Sequence, residues 1–126
     1  MTSKLHIEGS TLYWKDPEGR LHRDDDKPAV VYADGTMHWW QHGDLHREQD
    51  QPAVINTNGY KSWYQHGKRH RDDDKPAVIY ADGDMYWYQH GKRHRENGLP
   101  AVVFTSSYKS WHQHGKFIRK HLGGLE

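Results

Sequence analysis

The stretch GKRHRDDDKPAVIYADGDMYWYQH, residues 67–90, carries the reading of the fold. Ala77-Val78-Ile79-Tyr80 is a β-branched and aromatic run, Ala81-Asp82-Gly83 follows it, and Met85-Tyr86-Trp87-Tyr88 is a second such run. Two strand-like runs flanking Asp-Gly predict a β-hairpin, because glycine takes the positive φ that such turns demand. His90-Gly91 predicts a second turn, from which the chain starts a further strand through Lys92-Arg93-His94-Arg95. Pro76 opens the first run, a position where its fixed φ and missing N–H are tolerated. No segment shows the 3.6-residue period of a helix.

Outward from this stretch the same chemistry returns at one strict period, without insertion or deletion, in the 24-residue units 19–42, 43–66, 67–90 and 91–114. Pro28, Pro52, Pro76 and Pro100 share one offset, and Trp39, Trp63, Trp87 and Trp111 share another. Such a strict period predicts a repeat architecture in which each unit buries its apolar face against its neighbours. Residues 1–18 read as an N-terminal half-unit cap and 115–126 as a C-terminal cap and tail, so 1–126 is one repeat domain. The expected fold is all-β, an elongated antiparallel β-hairpin array of meander or solenoid form. Two or three short strands per unit, about 4.8 Å apart, predict a body on the order of 40 Å long. A second period is superposed: DDDKPAV and YADG mark the first and third units, and Tyr-Lys-Ser-Trp marks the second and fourth, at 60–63 and 108–111. The true duplication is therefore of a pair of unlike units, 19–66 and 67–114, and surface chemistry alternates along the array.

Only 33% of the residues are hydrophobic, so the core must come from few, large side chains. Six Trp and eight Tyr supply them, at roughly 150–250 Å² each. The net charge of +1 gives no long-range attraction to nucleic acid or an anionic membrane. The chain lacks cysteine, an apolar stretch of membrane-spanning length and a signal-like N-terminus, which together read as a cytoplasmic protein without disulfides. The Gly123-Gly124-Leu125-Glu126 end is flexible in character and is set aside.

Strand alternation sorts the second run by face, with Met85 and Trp87 on one side and Tyr86 and Tyr88 on the other. The first side carries Trp in every unit, so Trp39, Trp63, Trp87 and Trp111 are the expected repeat core. The other side varies, and with it His38, Trp40, Tyr60, Tyr64, Tyr86, Tyr88, Tyr108 and His112 form the candidate binding set. An aromatic face left outside would be an interface patch; a two-layer fold would bury it instead.

His-Arg-acid recurs as His22-Arg23-Asp24, His46-Arg47-Glu48, His70-Arg71-Asp72 and His94-Arg95-Glu96. A catalytic constellation is single, whereas this one appears four times at one offset, which predicts Arg–carboxylate pairing between neighbouring units. His66 with His70, and His90 with His94, lie four apart, but in a turn and strand that spacing does not converge ligands, so no metal is expected. The runs Asp24-Asp25-Asp26 and Asp72-Asp73-Asp74 lack the alternating pattern of a calcium loop.

Trp63-Tyr64-Gln65-His66-Gly67-Lys68-Arg69-His70-Arg71-Asp72, with Pro76-Ala77-Val78 and the Asp82-Gly83 turn, resembles the MORN-variant repeats of bacteriophages, giant viruses and some bacteria. The resemblance covers nearly the whole chain and implies a twisted array of hairpins. Proteins with such repeats are mostly scaffolds or viral accessory proteins. The chain lacks the Tyr-x-Gly-x-Trp spacing of ordinary MORN repeats, so their lipid binding is not carried over and no membrane partner is expected. The leading expectation is a non-enzymatic interaction protein without cofactors. The resemblance implies a host protein or protein complex as partner, one of antiviral defence that the chain inhibits stoichiometrically. The alternative is a nucleotide or single-strand nucleic-acid binder, stacking bases on Trp and Tyr with Lys61, Lys109, Arg69 and Arg93 at phosphates. The sequence leaves the oligomeric state open.

Overall fold

The computed structural model describes residues 2–123; the final Gly124-Leu125-Glu126 of the tail lies outside the described residues. The architecture is all-β. Eleven strands form one open antiparallel sheet in hairpin order. At its start lie β1 (Lys4–Glu8), β2 (Thr11–Lys15), β3 (Val30–Val31) and β4 (Met37–His38). Here the chain leaves the sheet for a small separate hairpin, β5 (Trp40–Gln41) with β6 (Asp44–Leu45), and returns as β7 (Val54–Ile55) and β8 (Lys61–Ser62). The excursion recurs as β9 (Tyr64–Gln65) with β10 (Lys68–Arg69), followed by β11 (Val78–Ile79) and β12 (Met85–Tyr86) in the sheet. A third excursion, β13 (Tyr88–Gln89) with β14 (Lys92–Arg93), leads to β15 (Val102–Val103), β16 (Lys109–Gln113) and β17 (Lys116–His121). With ten inter-strand steps of about 4.8 Å the sheet is roughly 50 Å across. Among the described residues no helix is long and apolar enough to cross a membrane.

The Asp-Gly turn forms as its residues dictate. Between β11 and β12, Tyr80 N–H donates to Asp84 O and Gly83 N–H to Tyr80 O, each at 2.9 Å, while Asp82 Oδ1 accepts the Asp84 N–H at 2.9 Å. Gly83 has φ 99°, and a Cβ there would press on Thr105 Cγ2 at 3.1 Å, so glycine is favoured on both counts.

The run Met85-Tyr86-Trp87-Tyr88 is not one strand. Trp87 lies between β12 and β13 and belongs to neither; its N–H still bonds Ala101 O at 2.7 Å and its carbonyl accepts His94 N–H at 3.1 Å. One repeat length, 67–90, therefore carries four short strands, β10 to β13, not the two or three expected. Successive small hairpins are tied by one backbone bond each, such as Gly67 N–H to Leu45 O and Gly91 N–H to Arg69 O, both at 2.8 Å.

Ala29, Ala53, Ala77 and Ala101 are fully buried, beside Val30, Val54, Val78 and Val102 and the indoles of Trp39, Trp63 and Trp87. Val78 lies opposite Ser62 on one side and Tyr86 on the other, and Val102 lies between Tyr86 and Ser110. Ser62 and Ser110 are buried as well, so the side expected to vary at the surface is partly interior.

Candidate binding clefts

Trp39, Trp63 and Trp87 are each the centre of a bond lattice that links one repeat length to the next. Trp63 Nε1 donates to Asp50 O at 3.1 Å, and the Arg71 guanidinium lies over its ring at 3.8 Å. Arg71 Nε and Nη2 grip the Asp50 carboxylate at 2.9 and 3.3 Å, and Nη1 donates to Pro76 O at 3.0 Å. Arg47 does the same over Trp39 with Asp26, and Arg95 over Trp87 with Asp74. These arginine bonds hold the Asp50 and Asp74 carboxyls below the usual carboxylate range. Arginine thus pairs between neighbouring units, but with the last residue of the preceding turn rather than with the acid beside it in sequence.

That adjacent acid belongs to histidine. Nε2 of His22 meets Asp24 at 2.8 Å and that of His70 meets Asp72 at 2.9 Å; His46–Glu48 and His94–Glu96 repeat the pair. The other ring nitrogen, Nδ1, accepts a backbone N–H from the last residue of the same unit: His42 to His22, His66 to His46, His90 to His70 and His114 to His94. Because Nδ1 must accept, the ring proton sits on Nε2 and is shared with the carboxylate. Both nitrogens are committed, which removes these histidines as free bases or ligands. Among the described residues no cluster of three His, Asp or Glu side chains could hold a metal ion.

Between this lattice and the small hairpins lie two open clefts with matching linings. The first, about 500 Å³, runs from the turn Asp24-Asp25-Asp26 past Trp39, Gln41 and His42 to His46, Glu48 and His66. The second, about 800 Å³, runs from Asp72-Asp73-Asp74 past Trp87, Gln89 and His90 to His94, Glu96 and His114. Every lining residue of the first has its counterpart two units on in the second, as Asp24 has Asp72, Trp39 has Trp87 and His66 has His114. At the intermediate position the space is divided, into a cavity of about 110 Å³ at Trp63 and one of about 530 Å³ at His66 and His90. There Lys75 Nζ reaches Asp50 Oδ2 at 3.0 Å, and the residues at the same offset in the second and fourth units are Gln51 and Leu99.

The two clefts differ in charge. Asp24, Asp25, Asp26, Asp44 and Glu48 line the first against Arg47, whereas Asp72, Asp73, Asp74 and Glu96 line the second against Lys68, Lys92 and Arg95. The exchange of Asp44 for Lys92 at one position accounts for much of the contrast.

The aromatic set named from sequence lies elsewhere. Trp39, Trp63 and Trp87 are buried, and Trp111, in the last of the repeats, is only partly so. Of the eight candidate binding residues none is fully exposed: His38, Trp40, Tyr60, Tyr64, Tyr86, Tyr88 and Tyr108 are partly buried and His112 is buried. The structure joins them to residues the sequence reading passed over. Tyr80 packs edge-on to Tyr60 and Tyr86 at 5.2 and 5.4 Å, and Phe104 lies 5.9 Å from Tyr86 and 5.0 Å from Tyr108. The signal for Tyr80 and Phe104 was the aromatic closing the Val run just before its turn in the first, third and fourth units, where the second has Asn56. Arg69 Nε donates to Tyr64 OH at 3.2 Å, and the Arg93 guanidinium lies 5.0 Å over Tyr86. His112 Nε2 is bonded to Ser110 Oγ at 2.9 Å, and burial pushes its pKa and that of His38 down. The Trp40 indole N–H is buried without a hydrogen-bond partner. These rings therefore spend much of their surface on one another, and the open concave space is at the acidic turns.

Compared with known proteins, the chain matches no family model, no curated sequence and no solved structure.

Proposed function

We propose that this chain is a non-enzymatic binding protein that holds a protein partner across two like clefts, one in each pair of units. The observation that carries the reading is the residue-for-residue correspondence of the two cleft linings. Two sites on one rigid array raise avidity above either alone, which favours an extended or two-fold symmetric partner. The first cleft fits lysine or arginine side chains, and the second fits a segment of mixed charge. A catalytic role has less support, since the repeated histidines are held by backbone and carboxylate alike. Nucleotide or single-strand nucleic-acid binding is the weaker alternative: the tyrosines contact one another, and carboxylates at the clefts repel phosphate.

The resemblance to phage and viral repeats directs the search for the partner to a host lysate, where an inhibited defence protein is the specific form of this proposal. The captured partner is then titrated calorimetrically against the wild-type chain and against Asp25→Lys/Asp44→Lys. The expected result is saturation at a fixed molar ratio, with affinity lower by about tenfold or more in the variant. Turnover of the partner by substoichiometric protein, or affinity indifferent to the variant, refutes the reading.

A further inference from the structure

β1 is the outermost strand at one end of the open sheet, and all five of its residues are exposed. It joins β2 through a two-residue turn with Gly9 at φ 58° in the first central position, the requirement of a type II′ turn. The residues flanking such a turn, Glu8 and Thr11, form a hydrogen-bonded pair, and hydrogen-bonded pairs alternate along the ladder. Glu8, His6 and Lys4 therefore direct their N–H and C=O groups at β2, and Leu5 and Ile7 direct theirs outward from the sheet. The same two residues carry apolar side chains left 48% and 63% exposed. Their cross-strand neighbours on that face are Trp14 and Leu12.

The opposite end is different. β17 carries Lys116, Arg119 and Lys120, and cations along an edge discourage strand addition. β1 has one cation and one anion, Lys4 and Glu8, placed symmetrically about His6.

We propose that β1 pairs antiparallel with β1 of a second copy of this chain, about a two-fold axis at His6. In that register Lys4 of each copy faces Glu8 of the other, Leu5 faces Ile7, and His6 faces His6. The outward N–H and C=O groups of Leu5 and Ile7 bond to those of Ile7 and Leu5 across the axis, so the edge ladder is satisfied and the sheet of each copy continues into the next. Lys4 lies opposite Lys15 within its own hairpin, an unfavourable like-charge pair that Glu8 of the other copy relieves. Leu5, Ile7, Leu12 and Trp14 of both copies become one apolar strip on a single face. A slip by one residue would set Leu5 and Ile7 against the opposite face, so this register is specified. The interface is isologous and closes at two copies; the cationic β17 ends face outward.

Sedimentation velocity from micromolar to millimolar protein tests the pairing. The expected result is a reversible monomer–dimer equilibrium with no larger species. Ile7→Pro removes an outward N–H that β2 does not use, and should weaken dimerisation by about tenfold or more with an unchanged circular dichroism spectrum. Lys4→Glu and Glu8→Lys should each weaken it, and an equimolar mixture of the two should restore it, because every cross-axis pair is then opposite in charge. This swap carries the test if Ile7→Pro does not fold. A monomer at every concentration, a dimer indifferent to these changes, or a mixture no tighter than its components overturns the proposal. So do larger oligomers abolished by Phe117→Lys, which would place β17 in the contact.

Discussion

Replacing Trp87 with alanine tests whether the repeated indole is the structural centre of the fold. The ring is 6% exposed, lies 3.9 Å beneath the Arg95 guanidinium, and donates through Nε1 to Asp74 O at 3.1 Å. Truncating a buried Trp costs about 3–5 kcal/mol through lost transfer energy and residual cavity. The lost cation–π contact of about 0.5–1 kcal/mol places the expected value in the upper half of that range. Against a domain stability of roughly 5–15 kcal/mol this is a large fraction. Two companions set the scale. Trp111→Ala removes a ring that is only partly buried and should cost about 2 kcal/mol. Tyr88→Ala, also partly buried and 6.5 Å from Tyr86, should cost about 1–2 kcal/mol. Urea unfolding followed by far-ultraviolet circular dichroism reads all three, since the remaining indoles would obscure a fluorescence signal. A loss at Trp87 no greater than that at Tyr88 would refute the assignment of the indole as core and the tyrosine as periphery.

Acid should destabilise the protein in two stages. Burial holds His38 and His112 below the usual imidazole value near 6.5, so the unfolded chain binds more protons and stability falls as pH drops from about 6.5. Asp50 and Asp74, held low by Arg71 and Arg95, add a second loss below the ordinary carboxylate value near 3.9. Urea midpoints measured from pH 8 to pH 3 check the order, and His112→Asn should shrink the first stage; a midpoint flat down to pH 4 contradicts it. Asp73→Asn should raise stability by about 0.3–0.5 kcal/mol, because Asp73 holds φ 64°, a left-handed conformation in which Asn97 already serves at φ 62° in the last unit. A lowered melting temperature for that variant would show that the carboxylate has a partner whose value exceeds the relief of strain.

The hairpins, their turns and the buried Trp positions were legible because each rests on a local rule: Asp82-Gly83 on backbone sterics, Trp87 on invariance across the units. The break in the strand at Trp87 was not, since two-residue alternation continues through the letters Met85-Tyr86-Trp87-Tyr88 whether or not the chain bends. The candidate site was less legible still. His70-Arg71-Asp72 read as the seat of an Arg–carboxylate pair, yet the His70 imidazole ties the N–H of His90, at the far end of the same unit, to Asp72, a relation that only the folded backbone reveals. The clefts arise from what stands beside Trp39 and Trp87 in space, and their sole sequence trace is the alternation of unlike units that leaves Lys75 at the place between them.

The lattice of Trp, Arg and Asp also governs how such a molecule can change in size. The bonds named for Arg71 to Asp50, His90 to His70 and Trp63 to Asp50 span 21, 20 and 13 residues. The first of these crosses from one unit to the next and the other two close within a unit, so a residue added or deleted between the partners would put them out of reach. Length is thereby quantised: the array can grow or shrink by whole units without inventing a contact, and by pairs of units without disturbing the order of its clefts. The distance between two occupied clefts becomes a heritable dimension, adjustable in fixed steps by duplication alone.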